Sequence, residues 1–222
     1  MKKYSFDDCP DSPFISQIPA VFSPAIRAQS SFIAFTKKEY LNHEGATFDY
    51  LYLILSGKTK VLRNEPNGKQ RIVQFLTQGD YIGDLALVQG ETRSSDILAI
   101  SEVWTFAIPQ KIAHESLFYD VAFLQMLAQH IAQKLLLRTD HFAKSQSFEL
   151  KYRLAMLLVE TANDELYDEN HSQIADYLGV SYRHLIHTFK WLKDQQYIIK
   201  LGKSYQIDSH KLHQLIQEGS DL

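Results

Sequence analysis

The order of apolar and polar positions divides the chain into three regions. From about Phe32 to Ile108, short apolar runs recur at close spacing: "FIAF", "YLYLIL", "TKVL" and "RIVQFL". They are rich in aromatic and β-branched residues. Turn formers separate them at Ser56-Gly57, at Asn64–Lys69 and at Gln78-Gly79-Asp80. Many short strands at this spacing predict a small β-barrel or jelly roll.

The period then changes. From Ser116 to about Ser145 there is neither Gly nor Pro. Leu124, Ala128, Ile131, Leu135, Arg138 and Phe142 follow alternating steps of four and three, an a/d seam sustained for almost three heptads. Such a seam predicts a partner helix. Leu127, Leu136 and Leu137 lie off it and are expected to cover the barrel. The expected dimer interface is Leu124, Ala128, Ile131, Leu135 and Phe142, in a homodimer.

From Phe148 the chain is mostly helical again. A helix "FELKYRLAMLLVETAN" precedes the polar break "DELYDEN". Asn170 then stands as an N-cap, with Gln173 at the capping-box spacing. The short helix that follows points Ile174, Ala175 and Leu178 inward. Gly179 turns the chain, and Ser181 caps a second helix with an apolar face of Leu185, Phe189 and Leu192. This spacing predicts a helix-turn-helix, and "YIIKLGKSYQI" around Gly202 predicts a hairpin wing.

Charge agrees with that placement. The chain has a net charge of -3, so any nucleic-acid surface has to be local. Between Tyr177 and Ile207, Arg183, Lys190, Lys193, Lys200 and Lys203 stand against Asp194 alone. Clustered cations at a recognition helix and wing are what phosphate neutralisation requires. The expected DNA-reading residues are Ser172, Ser181, Tyr182, Arg183, His187 and Lys203. Arg183 suits a bidentate contact to guanine, and Ser181 and Tyr182 suit phosphates or a base edge. His184 and His187 at i, i+3 find no carboxylate or thiol to complete a metal site, and no metal is expected.

The bulk properties narrow the classes. Hydrophobic residues make up 45% and charged residues 22%, ordinary for a globular protein of 222 residues with room for two cores. One cysteine, Cys9, excludes an internal disulfide and a single-chain all-cysteine iron–sulfur cluster. The start of the chain has no apolar segment of a signal peptide, and no run reaches membrane-span length. A cytoplasmic protein with no membrane partner is expected. The fold class is α+β: a β-roll sensor domain over 1–115, a dimerisation helix over 116–145 and a winged helix-turn-helix over 146–222.

The stretches "LNHEGATFDYLYLILSGKTKVL", "QGDYIGDLALVQGETRSS" and "IADYLGVSYRHLI" together resemble the cyclic-AMP receptor protein / fumarate-nitrate regulator superfamily of bacterial transcription factors, most of all the YeiL type. The resemblance runs from about Tyr40 to Ile207. It implies a homodimer on a pseudo-palindromic double-stranded DNA site, with RNA polymerase as a further partner if the protein activates.

It also implies an effector cassette formed by Gly83, Asp84, Leu85, Ala86, Arg93 and Ser94, with Arg138 and Thr139 beneath it on the long helix. In the family the acid holds a ribose hydroxyl, and the arginine and the hydroxyl after it hold a cyclic phosphate. Here Asp84 is one methylene shorter than the family's Glu, and Arg138-Thr139 stand where cyclic-AMP binders carry Thr-Ser. The expected effector is a cyclic nucleotide, another small anion, or none, with Asp84 and Arg93 paired internally to brace the barrel.

Two other classes compete with the regulator. A cyclic-nucleotide module acting through protein partners has no need of the helix-turn-helix and wing. A cupin-type metalloenzyme would have only His43 and Glu44 in the barrel to offer a metal, and no nucleophile–base arrangement points to catalysis.

Overall fold

The computed structural model describes residues 1–8, 13–90 and 93–220, with the side chains of 138, 140–147 and 220 outside the description. Contacts divide the chain into two compact units, 1–64 with 73–134 and 65–72 with 135–222.

The first unit opens with β1 (Lys2–Ser5), a 3-10 turn at Ile15–Gln17 and α1 (Pro24–Ala28). Then come β2 (Ser31–Phe35), β3 (Tyr40–Asn42), β4 (Tyr50–Ser56), β5 (Thr59–Asn64), β6 (Gln70–Leu76), β7 (Tyr81–Ile82), α2 (Asp84–Leu87), β8 (Asp96–Ala99), β9 (Val103–Pro109) and α3 (Gln110–Ile112). One sheet has the order β1-β2-β9-β4-β7 and the other β3-β8-β5-β6. All four neighbour pairs of the first sheet are antiparallel, as are β3 with β8 and β5 with β8 in the second. This is the expected roll.

The β4 run "LYLIL" reads as continuous apolar sequence because both faces of that strand are covered. Tyr52 and Ile54 enter a core with Ile33, Phe35, Val61, Ile97 and Val103. Leu51, Leu53 and Leu55 point the other way, into a core with Phe22, Ile26, Phe32, Phe106, Phe123 and Leu127. Phe106 is fully buried there, with the Phe22, Phe6 and Phe32 rings at 5.8, 6.0 and 6.1 Å, spacings favourable for aromatic pairs.

Phe123 and Leu127 come from α4 (Val121–Ser147). Before it the chain winds as a π-turn over Ala113–Leu117. Asp120 starts the regular helix: its Oδ1 accepts from the Phe123 N–H at 3.0 Å and its carbonyl from the Leu124 N–H at 2.9 Å. Leu127 covers the roll as expected. Leu136 and Leu137 do not: they are 70% and 61% exposed. They sit more than two turns beyond Leu127, and the first unit ends at Lys134.

The second unit continues from Leu135 with the rest of α4, then α5 (Leu150–Thr161), β10 (Leu166–Tyr167), α6 (His171–Leu178), α7 (Tyr182–Asp194), β11 (Ile198–Leu201), β12 (Ser204–Ile207) and α8 (Ser209–Ser220). The three strands form a sheet in the order β10-β12-β11. The polar break therefore holds a strand, because Leu166 and Tyr167 pair with Gln206 and Tyr205. On α8, Leu212 and Leu215 are buried. No helix of the described residues is long and apolar enough to cross a membrane.

Replacing Leu127 with Ala is expected to cost about 2–5 kcal/mol of unfolding free energy, the range for a buried leucine that leaves a cavity. Urea titration measures it. A loss below about 1 kcal/mol would mean that α4 is not packed on the roll.

Candidate functional sites: the roll cavity and the helix-turn-helix face

The cassette runs from β7 through α2 to β8. Gly83 makes the turn into α2 with φ +85°, and a Cβ there would lie 3.0 Å from the Tyr50 carbonyl oxygen and 3.3 Å from the Phe48 ring. Only glycine meets both demands. A cavity of about 330 Å³ opens beside it, lined by Gly45, Ala46, Thr47, Phe48, Ala86, Arg93, Ser94 and Gln110. Of the expected effector residues the fold thus brings Ala86, Arg93 and Ser94 together. Asp84 is not in the lining, and Leu85 is 41% exposed. In the second unit, Thr139 donates to the Leu135 carbonyl oxygen of its own helix at 2.9 Å. The side chains of Arg138 and Phe142 lie outside the described residues.

Arg93 has an internal partner, and it is not Asp84. Its Nη2 lies 3.1 Å from Oε1 of Glu44, whose side chain is 9% exposed against 74% for the arginine. The other Glu44 oxygen accepts from the Asn64 N–H at 3.0 Å and from Asn64 Nδ2 at 2.5 Å. The Glu44 N–H donates to Asp96 Oδ1 at 2.8 Å. The Ser94 hydroxyl donates to the Ala46 carbonyl at 2.6 Å. Gln110 Oε1 is buried without a hydrogen-bond partner.

Asp84 belongs to a different cluster, formed with α4. Burial pushes its carboxyl above the ordinary range, against backbone N–H donors and the charges of Lys134 and His130. Lys134 Nζ sits 2.8 Å from Asp80 Oδ1. His130 Nε2 is 3.7 Å from the same oxygen, beyond hydrogen-bonding range. Tyr81 meets the His130 ring edge-on at 5.3 Å.

In this arrangement the Arg93 guanidinium faces the Glu44 carboxylate, the Ser94 hydroxyl donates to a carbonyl and Asp84 lies in another cluster. His43 stacks on Tyr40 at 4.5 Å, and among the described residues no three His, Cys, Asp or Glu side chains gather as ligands.

The helix-turn-helix follows its sequence. Asn170 Oδ1 accepts from the Ser172 and Gln173 N–H groups at 2.9 and 3.3 Å. Gly179 has φ +66°. Ser181 Oγ accepts from the His184 N–H at 3.2 Å. Ile174, Ala175 and Leu178 of α6 are buried, as are Leu185, Thr188, Phe189 and Leu192 of α7. The Arg153 guanidinium donates to the Leu178 carbonyl and so ties the end of α6 to α5.

Tyr182, Arg183, His184 and His187 are left exposed or half-exposed on α7, Ser172 on α6, and Lys203 on the wing. The sequence reading missed Tyr205. It pairs across the wing with Lys200. Burial first, and Tyr182 second, push its phenol up. Only the β12 register places it there. A larger hollow of about 760 Å³ lies under β11. One of its lysines, Lys211, already lies 3.6 Å from Asp208 and donates to the Gln196 carbonyl at 3.3 Å.

Comparison with known proteins follows this division. Residues 32–118 match the cyclic nucleotide-binding domain family. The chain is 28% identical to the regulatory protein YeiL of Escherichia coli O157:H7 over 95% of its own length and 91% of the relative's. It is 26% identical to the cAMP-activated global transcriptional regulator CRP of Salmonella typhimurium, covering 77% of this chain and 86% of CRP. Its fold is similar to that of TTHA1359, a transcriptional regulator of the CRP/FNR family from Thermus thermophilus. The TM-score is 0.66 and the identity 21%, over 85% of this chain and 99% of that one. FixK2 from Bradyrhizobium japonicum gives a TM-score of 0.61 at 19% identity, over 84% and 96%.

The α4 cluster carries a pH dependence. Burial first, then Lys134, holds the His130 imidazole below its ordinary 6.5, against Asp80 and Asp84. The unfolded ring takes up its proton near 6.5, and the folded ring only at lower pH. The unfolded state therefore binds more protons as pH falls below 6.5, and the native state loses stability over that window. Asp84, raised by burial, acts in the opposite direction. His130→Gln removes the first effect and takes from Asp84 only the smallest of the influences that oppose its burial. In urea titrations at about pH 7.5 and about pH 5.5, the unaltered chain is expected to lose more stability than the variant. Equal losses would mean that the fold does not hold the ring neutral.

Proposed function

We propose that this chain, whose residues 32–118 match the cyclic nucleotide-binding domain family and which is similar to the regulators YeiL and CRP over 95% and 77% of its length, is a homodimeric transcription regulator of the CRP/FNR superfamily that reads a pseudo-palindromic site on double-stranded DNA. The observation that carries this reading is the outer face of α7. Two caps and a left-handed glycine fix the helix, its apolar side is buried, and Tyr182, Arg183 and His187 project from its first two turns. That is the part of a recognition helix that enters the major groove.

Arg183 is the base reader, through a guanidinium fork on guanine, with His187 one turn further on. Ser181 accepts the cap bond with its lone pair, so its O–H remains to donate to a phosphate. Ser172 and Lys203 contact phosphates on either side, and Tyr182 packs against a base edge or sugar. Dimerisation falls to the α4 seam. Ala128 and Leu135 are exposed on the single chain, while Leu124 and Ile131 are half-buried against the roll core. Two α7 helices presented by a two-fold dimer require a two-fold DNA site. RNA polymerase is a partner if the protein activates.

The roll cavity is the seat of a small effector. A ligand that binds one dimer geometry better than another shifts the DNA readers through α4, by no more than its differential affinity.

On an operator selected from genomic DNA, Arg183→Ala is expected to weaken binding by roughly tenfold to a hundredfold and to relax specificity at one base position, the effect of losing a bidentate contact of about 1–3 kcal/mol. Lys203→Ala should weaken all sequences alike and lower the slope of log K against log salt by about 1. Fluorescence anisotropy across a salt series measures both. Unchanged affinity for Arg183→Ala would overturn the assignment of α7 as the reader.

A further inference from the structure

The wing has an open edge that reading DNA does not use. β11 pairs with β12 on one side and with no strand of the described residues on the other. Its sequence, Ile198-Ile199-Lys200-Leu201, holds one charge and no proline. Ile199 and Leu201 are 60% and 49% exposed, on one face of the strand. The hollow lined by Ile198, Ile199 and Lys200 leaves the strand uncovered there. An apolar edge with so little to blunt it is a template for a further strand.

The register shows which backbone groups that edge offers. The Asp208 N–H donates to the Tyr197 carbonyl at 2.9 Å, so residues 197, 199 and 201 turn their backbone groups toward β12. Ile198 and Lys200 alternate with them and turn their N–H and C=O groups outward. The far side of β12 agrees: Ile207, opposite Ile198, donates to the Glu165 carbonyl at 2.8 Å, away from β11.

This alternation makes the edge self-complementary. Lay a second β11 antiparallel to the first, about a two-fold axis through Ile199. Ile198 of each copy then faces Lys200 of the other, and each such pair exchanges both N–H···O bonds. Ile199 meets Ile199 of the second copy across the axis, and on the same face Leu201 meets Tyr197 of the second copy. Lysine stands opposite isoleucine, so no like charges are directly opposed. A slip of one residue would bring inward-facing backbone groups to the edge and lose the bonds.

We propose that β11 is a self-association edge, through which the wings of two neighbouring DNA-bound dimers pair and make binding to adjacent sites cooperative.

The occupant is a second copy of this chain because the edge matches itself in both hydrogen bonding and charge. A strand of four residues buries far less than a stable interface needs. The contact therefore forms only where something else holds two copies side by side, and the duplex does so by raising their effective concentration. The inference rests on the regulator reading for that duplex.

The test uses the full chain on DNA carrying two selected operators at a series of spacings, followed by quantitative footprinting. At spacings that put both dimers on one face of the duplex, the second dimer is expected to bind at least about tenfold more tightly than the first. Ile199→Ser should abolish that gain and leave the affinity for a single operator unchanged. In a Cys9→Ser background with diamide as oxidant, Ile199→Cys should crosslink two dimers on two-site DNA and not on one-site DNA. The two Cα atoms of such a non-hydrogen-bonded pair lie about 4.5 Å apart, within reach of a disulfide. Leu201→Cys, whose counterpart is Tyr197, should not crosslink.

Independent filling of the two sites at every spacing would overturn the proposal while leaving the regulator reading intact. Cooperativity that survives Ile199→Ser would overturn it as well, and so would crosslinking at Leu201 as strong as at Ile199. A chain that failed to bind even the single operator would sink both readings.

Discussion

Strand β4 is apolar on both faces, and much of the first unit is placed by the need to cover it. Tyr52 and Ile54 require the second sheet. Leu51, Leu53 and Leu55 require a second layer on the outer face, which α4 supplies through Phe123 and Leu127. Once those two side chains are seated, helical geometry carries His130 and Lys134 one and two turns further along the same face. They arrive at Asp80 and within electrostatic reach of Asp84. A packing constraint thereby sets the chemistry of the cassette. Asp84 goes to the helix, and Arg93, which a cyclic-nucleotide site would share with a ribose-binding acid and a phosphate, goes to Glu44.

The two units are built on different logic. In the first, polar groups near the cavity satisfy one another: Arg93 with Glu44, Glu44 with Asn64, Ser94 with the Ala46 carbonyl. In the second, polar groups on the outer face of α7 point outward, while Phe189 and Tyr167 with the His171 ring fill the inside. A surface that presents donors to solvent is suited to a partner rich in acceptors, which is what a duplex offers.

Much of this is legible in the sequence where the determinants are local. The caps at Asn170 and Ser181 and the glycine at Gly179 act within a few residues of themselves, so their spacing can be read directly. The strand runs are legible because β-branched and aromatic residues sit between turn formers. What escapes is set by tertiary register. Glu44 meets Arg93 only because the roll folds β3 and β8 side by side. In the sequence Glu44 stands out only as a metal candidate, and the expected internal partner of Arg93 is Asp84, the nearer acid. Leu136 and Leu137 look like barrel-covering residues because periodicity gives a face but not how far along a helix its support extends. Tyr205 is set opposite Lys200 through strand pairing that no spacing rule encodes.

The central proposal is that this chain reads DNA through the outer face of α7. Operator binding by the full chain and by Arg183→Ala, followed by anisotropy across a salt series, tests it most directly. The account predicts tight binding by the unaltered chain that weakens as salt rises, and a loss of about tenfold or more in the variant. Binding that is indifferent to salt, or equal in the two proteins, would contradict it.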